Sequence, residues 1–462
     1  MAGVSPGRTR WGGGMLFVEQ IQRLGRVEQV YSLNPKGGRL NDGTPIYRNL
    51  REVPGEVDYL ISAVPASAIL DLIDDAIAKG VKVIHLFTAG FGETGDGERI
   101  ELEAALVAKV QEAGIRLIGP NCMGIHSPIS GVSWMGETAS EPGRVGVLSQ
   151  SGMNAGEIVI RGERRAIRFS YVVSYGNATD LNECDYLDYL AGNDETDIVL
   201  GYIEGVKDGP RFVRSARRLT QRKPLVILKG GVTAAGSRAA SSHTGSLAGS
   251  SAIWEAVSKQ AGFINATSIE ELLDLAVTIQ HLSAVSGPRA GIVGGGGGSS
   301  VLAADSCDRL GIDVPWLSAA TQERLAAITP VAGSSVRNPV DTQVLWGDGD
   351  FAETMQAVAD DPNVDFVILH FPLDARPTRQ RNAALQDEFE PRLLRNLDAV
   401  KAALAKPLAV VMMPPRTVAG MEITLRLRQE LGDRGFGVFS SVDDCARAVR
   451  RYLDWKQRRS GA

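Results

Sequence analysis

One histidine of this 462-residue chain lies in a loop made almost entirely of small residues. The chain has only five histidines, and His243 stands in SSHTGSLAG, residues 241–249. The small neighbours leave room for a phosphoryl group, and Thr244 and Gly245 can donate hydrogen bonds to its oxygens. Glu204 ends a strand pattern in the same segment, and a carboxylate bonded to one ring nitrogen leaves the other as a nucleophile. These residues predict phosphoryl transfer through a phosphohistidine.

Two strand-to-helix turns favour anion binding. One is VLSQSGMNAGE and the other GGGGGSSVLAAD; glycines and serines open a helix in each, with unpaired N–H groups and a positive dipole end that attract phosphate. Neither turn has the GK[ST] or the later acidic residue of common nucleotide sites. The phosphate-binding candidates are Ser149, Gln150, Ser151, Gly152, Gly296, Gly297, Gly298, Ser299 and Ser300, with Thr244 and Gly245.

The elements that position these residues follow from hydrophobic patterning. Apolar runs such as VDYLISAVP, VKVIHLFTAGF, DIVLGYIEG and DFVILHFP alternate with helical patterns along the chain. Strands separated by helices predict an α/β fold of doubly wound parallel sheets. Polar stretches place domain boundaries near residues 140 and 287, and the second and third segments share a strand, small-residue turn and helix at their starts.

Composition excludes several classes of protein. The chain is 44% apolar and 22% charged, and its net charge of −5 gives no reason to expect nucleic acid or an anionic membrane as partner. No apolar run approaches the roughly 18 residues of a membrane span, and no signal-peptide core follows Met1. The four cysteines lack CxxC spacing, so neither a metal site nor a disulfide framework is predicted. A cytoplasmic location is expected.

Nine motifs together resemble the α subunit of the ADP-forming acyl-CoA synthetases, relatives of succinyl-CoA synthetase. They are YSLNPK, AVPAS, FTAGF, GPNCMGI, GVLSQSG, SYGNATDLNECDYLDYL, YIEG, SSHTGSLAG and SVRNPVD. The resemblance implies a Rossmann-like CoA-binding domain, residues 1–140, followed by two flavodoxin-like ligase domains, residues 141–286 and 287–462.

The resemblance also implies a reaction. Acyl-CoA, ADP and phosphate are interconverted with carboxylic acid, CoA and ATP through an acyl phosphate and a phosphohistidine. By the same resemblance His243 carries the phosphoryl group, Glu204 orients it, the two helix starts bind it, and Gly176 and Asn177 face the acyl carboxylate.

The resemblance places coenzyme A in the first segment. Its candidate ligands are Gly3, Ser5, Arg8, Asn34, Lys36, Val64, Pro65, Thr88, Asn121, Cys122, Met123 and Gly124. Within that set Cys122 is expected to be a small packing residue, because no histidine or acid lies beside it in sequence. His126 is expected near the same ligand, His85 and His370 in the core, and His281 at the surface. Asp180, Asn182 and Asp185 are expected to be loop and cap residues.

Two departures from the family pattern are visible. The chain starts at MAGVSPGR, so most of the family's first strand is expected to be missing. No ATP-grasp pattern is present, which implies a separate β subunit that binds Mg and ADP or ATP in an α2β2 hetero-oligomer. The alternative function is an inactive CoA-binding or acyl-CoA-sensing regulator, which would need no combination of His243, Glu204 and two helix starts.

Overall fold

A computed structural model of the chain describes residues 1–5, 13–136, 140–238, 251–329, 334–341, 348–372, 389–415 and 417–460. The chain divides into two compact units. Unit 1 comprises Met1–Ile160 and Arg168–Ile269, and unit 2 comprises Arg161–Ile167 and Glu270–Ala462. Strands and helices alternate in both, which confirms the predicted α/β class. Within the described ranges, no helix is long and apolar enough to cross a bilayer.

The amino-terminal part of unit 1 contains two small sheets. One has the order β1-β3-β2 and the other, entirely parallel, has the order β4-β5-β6. Ala2 forms parallel bridges to Leu33 and Ser62, so the first residues lie between β1 and β4. The elements are β1 (Ser32–Leu33), β2 (Gly38–Arg39), β3 (Pro45–Tyr47), β4 (Tyr59–Ser62), β5 (Val83–Leu86), β6 (Arg116–Ile118), α1 (Met15–Leu24), α2 (Ile69–Lys79) and α3 (Gly97–Glu112).

The larger sheet of unit 1 has six strands in the order β12-β11-β10-β8-β9-β7. Five strands are parallel, in the flavodoxin-like order, and β7 pairs antiparallel with β9 at the edge. The elements are β7 (Gly124–His126), β8 (Val145–Ser149), β9 (Phe169–Ser174), β10 (Ile198–Ile203), β11 (Leu225–Lys229), β12 (Ile264–Ala266), α4 (Gly152–Glu163), α5 (Glu183–Gly192), α6 (Gly209–Thr220) and α7 (Ser251–Ala261).

The apolar run IRLIGPNCMG does not form one strand, contrary to the sequence-based expectation. It contains β6, continues as a turn and ends at Gly124, the first residue of β7, and these two strands belong to different sheets. Gly119 has φ 98° and Asn121 has φ 59°, and these left-handed conformations interrupt an extended strand. The turn between β6 and β7 therefore connects two sheets.

Side-chain capping explains how α5 begins. Asn182 and Asp185 form a capping box at the start of α5, as the sequence predicts. Asp180 instead pairs with Arg116, at 3.0 Å between Oδ2 and Nε, and accepts the Leu117 N–H at 2.8 Å. Asp180 thus joins the segment after β9 to β6.

The described residues of unit 2 form one parallel sheet of five strands in the order β14-β13-β15-β16-β17. This order matches that of the five parallel strands in unit 1, so the predicted similarity of the two segments is present in the fold. The elements are α8 (Ile269–His281), β13 (Ala290–Gly294), α9 (Gly297–Arg309), α10 (Ala319–Ile328), β14 (Val340–Asp341), α11 (Asp348–Asp360), β15 (Phe366–Pro372), α12 (Phe389–Ala403), β16 (Leu408–Met413), α13 (Val418–Asp433), β17 (Gly437–Phe439) and α14 (Val442–Ser460).

The described histidines are held away from water. His85, His126 and His370 are at most 1% exposed, and burial lowers the pKa of each to about 4. The core placement predicted for His85 and His370 is confirmed. His126 is also a core residue, with Nδ1 2.9 Å from Ser133 Oγ, and it is not among the residues that line the cleft described below. His281 is half-buried rather than a surface residue.

We expect the free energy of unfolding to fall as the pH drops from 6.5 towards 4. The folded pKa of His85, His126, His281 and His370 lies below the unfolded value, so the unfolded chain binds these protons first, and each histidine contributes up to about 1.4 kcal/mol per pH unit. Burial raises the pKa of Asp274 to about 7, which opposes the effect of one histidine. Thermal unfolding measured at several pH values tests this, and the slope should decrease in His370→Gln. An unfolding temperature that stays constant from pH 7.5 to 5 contradicts it.

Candidate active-site cleft

The carboxyl ends of β8 and β10 meet in unit 1 at the point where the strand order reverses. Ligands bind at such switch points in open parallel sheets. Gln150, just after β8, accepts through Oε1 the N–H groups of Glu204 and Gly205, which follow β10; the second distance is 2.9 Å. The two strand ends that the sequence singled out are therefore bonded to each other.

A cleft of about 550 Å³ opens beside this switch point. Its walls combine the ends of β4 and β5, the turn between β6 and β7, the start of α4 and the turn after β9. Most residues predicted to bind CoA, phosphate or the acyl group from these turns line it together. The lining residues are Ala63, Val64, Pro65, Phe87, Thr88, Ala89, Asn121, Cys122, Met123, Gln150, Ser151, Gly152, Met153, Gly176 and Asn177.

The start of α4 faces the cleft with its own cap in place. Ser151 Oγ accepts the Asn154 N–H at 3.3 Å, which satisfies one of the first-turn donors. The N–H groups of Gly152 and Met153 have no helical carbonyl partner, and both residues line the cleft. Ser149 is fully buried and donates to the Ser151 carbonyl at 2.7 Å, so its hydroxyl shapes the turn.

Two glycines allow these turns to approach closely. A Cβ on Gly152 would lie 2.7 Å from Met123 Cγ, so only glycine lets the helix start pack on the β6–β7 turn. Gly176 has φ +54°, and a Cβ there would lie 2.3 Å from the carbonyl oxygens of Pro120 and Asn121. The adjacent Asn177 N–H donates to the Pro120 carbonyl at 3.0 Å.

Gly176→Ala should lower the free energy of unfolding of unit 1 by about 2–4 kcal/mol, because it adds backbone strain and a steric clash. Denaturant unfolding measures the loss. Gly55→Ala is the control, since Gly55 has φ +71° with no heavy atom within 4 Å of the added Cβ. Equal losses in both variants would show that the close approach at Gly176 contributes nothing.

Glu204 is held at the edge of the switch point. Its side chain is 8% exposed, and Oε1 accepts from the Tyr202 hydroxyl at 3.1 Å. Lys229 Nζ donates to the Glu204 carbonyl at 2.5 Å, and burial lowers the pKa of Lys229. A Cβ on Gly230 would lie 2.8 Å from the Tyr202 hydroxyl. Tyr202, Lys229 and Gly230 are residues that sequence reasoning missed, although YIEG and KGG lie beside residues that it considered.

The other CoA candidates that the structure describes lie beyond the lining of the cleft. Asn34 Nδ2 donates to the Val4 carbonyl at 2.8 Å and to Ser5 Oγ at 3.3 Å. Gly3 has φ +87°, and a Cβ there would lie 2.7 Å from the carbonyl oxygen of Ala63, a residue of the cleft wall. Lys36 is exposed. Gly124 packs on His85, where a Cβ would lie 2.3 Å from the ring.

Cys122 and Met153 give the cleft part of its apolar character. Cys122 is 4% exposed, and burial raises the pKa of its thiol, so the side chain is not poised as a thiolate nucleophile. Met153 is 70% exposed at the start of α4. Sequence reasoning did not select Met153, Phe87, Ala63 or Ala89, because apolar residues carry no chemical signature.

The glycine-rich helix start of unit 2 has a carboxylate beside it. Gly296 is the N-cap of α9 with φ 106°, and its N–H donates to Asp341 Oδ1 at 2.9 Å. Ser299 Oγ donates to the carbonyl of Gly296 at 2.7 Å, and Ser300 is 4% exposed. The N-cap of α9 is thus a glycine, and Ser299 acts as a donor to its carbonyl. Asp341 belongs to the motif SVRNPVD, whose carboxylate had been assigned no role.

Four candidate residues lie outside the described residues. They are Arg8, His243, Thr244 and Gly245. The roles assigned to them rest on the sequence.

Comparisons with known proteins agree with this arrangement. Residues 1–128 match the CoA binding domain, and residues 142–279 match the succinyl-CoA ligase like flavodoxin domain. The chain is 39% identical to the α subunit of acetate–CoA ligase [ADP-forming] II of Pyrococcus furiosus, over 74% of each chain. It is 38% identical to acetate–CoA ligase [ADP-forming] I of Archaeoglobus fulgidus, over 73% of this chain but only 49% of that longer protein.

A solved structure matches nearly the whole chain. Acetyl-coenzyme A synthetase 1 of Ca. Korarchaeum cryptofilum, in complex with phosphate and ADP, superposes with a TM-score of 0.81 at 26% identity. The match covers 99% of this chain and 95% of that one. The chain therefore belongs to the family of ADP-forming acyl-CoA ligases, among the α subunits.

Proposed function

We propose that this chain is the α subunit of an ADP-forming acid–CoA ligase and that it carries the CoA-dependent half of the reaction. The observation that carries the proposal is the cleft, in which CoA-binding-domain residues, the α4 helix start and the turn at Gly176 line one cavity. A thioester, a phosphate and an acyl group are the ligands that such a combination fits. Family membership favours this function over an inactive CoA sensor.

The proposed reaction proceeds in two steps. A phosphate oxygen attacks the thioester carbonyl, the C–S bond breaks, and CoA leaves as its thiol after taking a proton. His243 then attacks the phosphorus of the acyl phosphate, and the carboxylate leaves. Glu204 holds the imidazole in the required tautomer, and the donors at the start of α4 stabilise the phosphoryl oxygens. The helix start at Gly296–Ser300 is the second proposed phosphate site. A phosphate bound there must share the Gly296 N–H with Asp341 or displace the Asp341 carboxylate from it.

The named relatives include α subunits, which implies a partner subunit. We propose that the partner is an ATP-grasp β subunit that binds Mg and the nucleotide in a hetero-oligomer, and that the assembly acts in the cytoplasm. The isolated chain should then form phosphoprotein but no ATP. ATP formation by the pure chain would contradict this division of labour.

Incubation of the purified chain with acetyl-CoA and ³²P-labelled phosphate tests the activity. We expect free CoA to be released and acid-labile, base-stable label to appear on the protein. Calorimetric titration with CoA serves as the control for the cleft. CoA binding without label for any of a panel of acyl-CoAs would favour the sensor function.

A further inference from the structure

The side chain of Asn177 is already fully engaged. Its Nδ2 donates to Glu93 Oε2 at 2.6 Å and to Glu103 Oε2 at 3.1 Å, and its Oδ1 accepts from Asn121 Nδ2 at 3.3 Å. An asparagine amide has two N–H donors, so neither is left for a substrate carboxylate. Asn177 therefore orders this end of the cleft instead of offering its amide to the acyl group.

The two glutamates are themselves fixed by the backbone after β5. Glu93 accepts the N–H groups of Gly90 at 2.6 Å and Phe91 at 3.1 Å, and Glu103 on α3 accepts the N–H of Gly92 at 3.1 Å. Both side chains are half-buried. Carboxylates bonded in this way stay in place without a ligand.

The charges beside Asn177 are predominantly negative, and the two glutamates contact this residue from outside the lining of the cleft. Glu93 and Glu103 approach the side chain of Asn177, and Lys207 Nζ donates at 2.9 Å to the carbonyls of Asn177 and Ala178. Two carboxylates and one ammonium group therefore lie beside Asn177, so the net charge there is negative. A second carboxylate on an acyl chain that reaches Asn177 meets charge repulsion in a partly dehydrated site.

We propose that Glu93 and Glu103 are specificity-determining residues, which hold the turn at Gly176–Asn177 in place and exclude acyl groups that carry a second carboxylate. The substrates are then acyl groups with uncharged chains. The inference rests on the proposed function, because it assumes that the acyl end of the thioester lies at Asn177.

Butyryl-CoA and succinyl-CoA have acyl chains of the same length and differ in the terminal carboxylate, so they form a matched pair of probes. Label formation from ³²P-phosphate is measured with each in the full chain and in Glu93→Gln, Glu103→Gln and the double variant. We expect the wild type to prefer butyryl-CoA in kcat/KM by about tenfold or more, and the double variant to reduce that preference by about tenfold. Glu101→Gln, an exposed position on α3, is the control and should keep the wild-type ratio.

Two further measurements keep the test decisive. If neither probe reacts, their inhibition constants against the acetyl-CoA reaction are compared in the same variants. If the glutamine variants fail to fold, raising the ionic strength should weaken the wild-type preference, because the repulsion is screened. Equal use of both thioesters by the wild type, or an unchanged ratio in folded variants, overturns the inference. Failure of the wild type to form label with any acyl-CoA overturns the proposed function instead.

Discussion

His243→Ala should abolish phosphoprotein formation, with a fall of at least about 10³-fold in label relative to wild type. The reason is chemical, because alanine offers no nitrogen lone pair to attack the phosphorus of the acyl phosphate. The residue lies in SSHTGSLAG, where small neighbours leave space for the phosphoryl group. Label is measured after incubation with acetyl-CoA and ³²P-phosphate, under conditions that preserve phosphohistidine.

Two comparisons isolate the role of His243. CoA affinity should be unchanged in His243→Ala, since the cleft residues that are expected to meet CoA are intact. Ser241→Ala, two positions before His243, should label normally, which separates the loss of the imidazole from a general effect of substitution in this segment. Label retained in His243→Ala would place the phosphoryl group on another residue and refute the assignment.

Glu204→Gln is expected to slow phosphoprotein formation by roughly 10²-fold with little change in CoA affinity. Glutamine keeps the size of the side chain and an oxygen for the Tyr202 hydroxyl, which lies 3.1 Å from Glu204 Oε1. It removes the negative charge that, in the proposed mechanism, fixes the tautomer of the neutral imidazole and stabilises the positive charge that develops on the ring as it attacks phosphorus. Single-turnover label formation measures the rate directly.

Tyr202→Phe is a milder change at the same site, and its rate is compared with that of Glu204→Gln. It leaves the carboxylate in place and removes one hydrogen bond to it, so a fall of up to about tenfold is expected. An unfolding temperature close to wild type should accompany both variants. A wild-type rate in Glu204→Gln would mean that another group orients the histidine.

The closest contacts of the candidate site join residues far apart in sequence. Gln150 meets Glu204 across the switch point, and Gly176 lies against Pro120 and Asn121. Gln150 was predicted from a helix start and Glu204 from a strand end, whereas Gly176 and Asn121 were implied by the family resemblance. Sequence reasoning selected neither Glu93 nor Glu103, since two glutamates near an exposed helix look like ordinary surface charge.

The pairing of β7 is another feature that the sequence alone does not predict. An apolar run such as IRLIGPNCMG records that its residues are buried, but not which strand they pair with. The structure places Gly124–His126 beside β9, in the sheet of the following segment. That pairing carries the β6–β7 turn to the start of α4 and so creates the cleft.

The sequence alone determined the alternation of strands and helices, the α/β class, the resemblance to a family and most of the polar residues proposed for the reaction. These depend on local properties, which are the burial period of a strand or helix, the conformational freedom of glycine and the chemistry of a side chain. Only the tertiary structure decided that five segments line one cleft, that the side chain of Asn177 is bonded to two glutamates, and that Asp341 accepts the N–H at the start of α9. These depend on long-range packing, which brings together side chains that no local pattern connects.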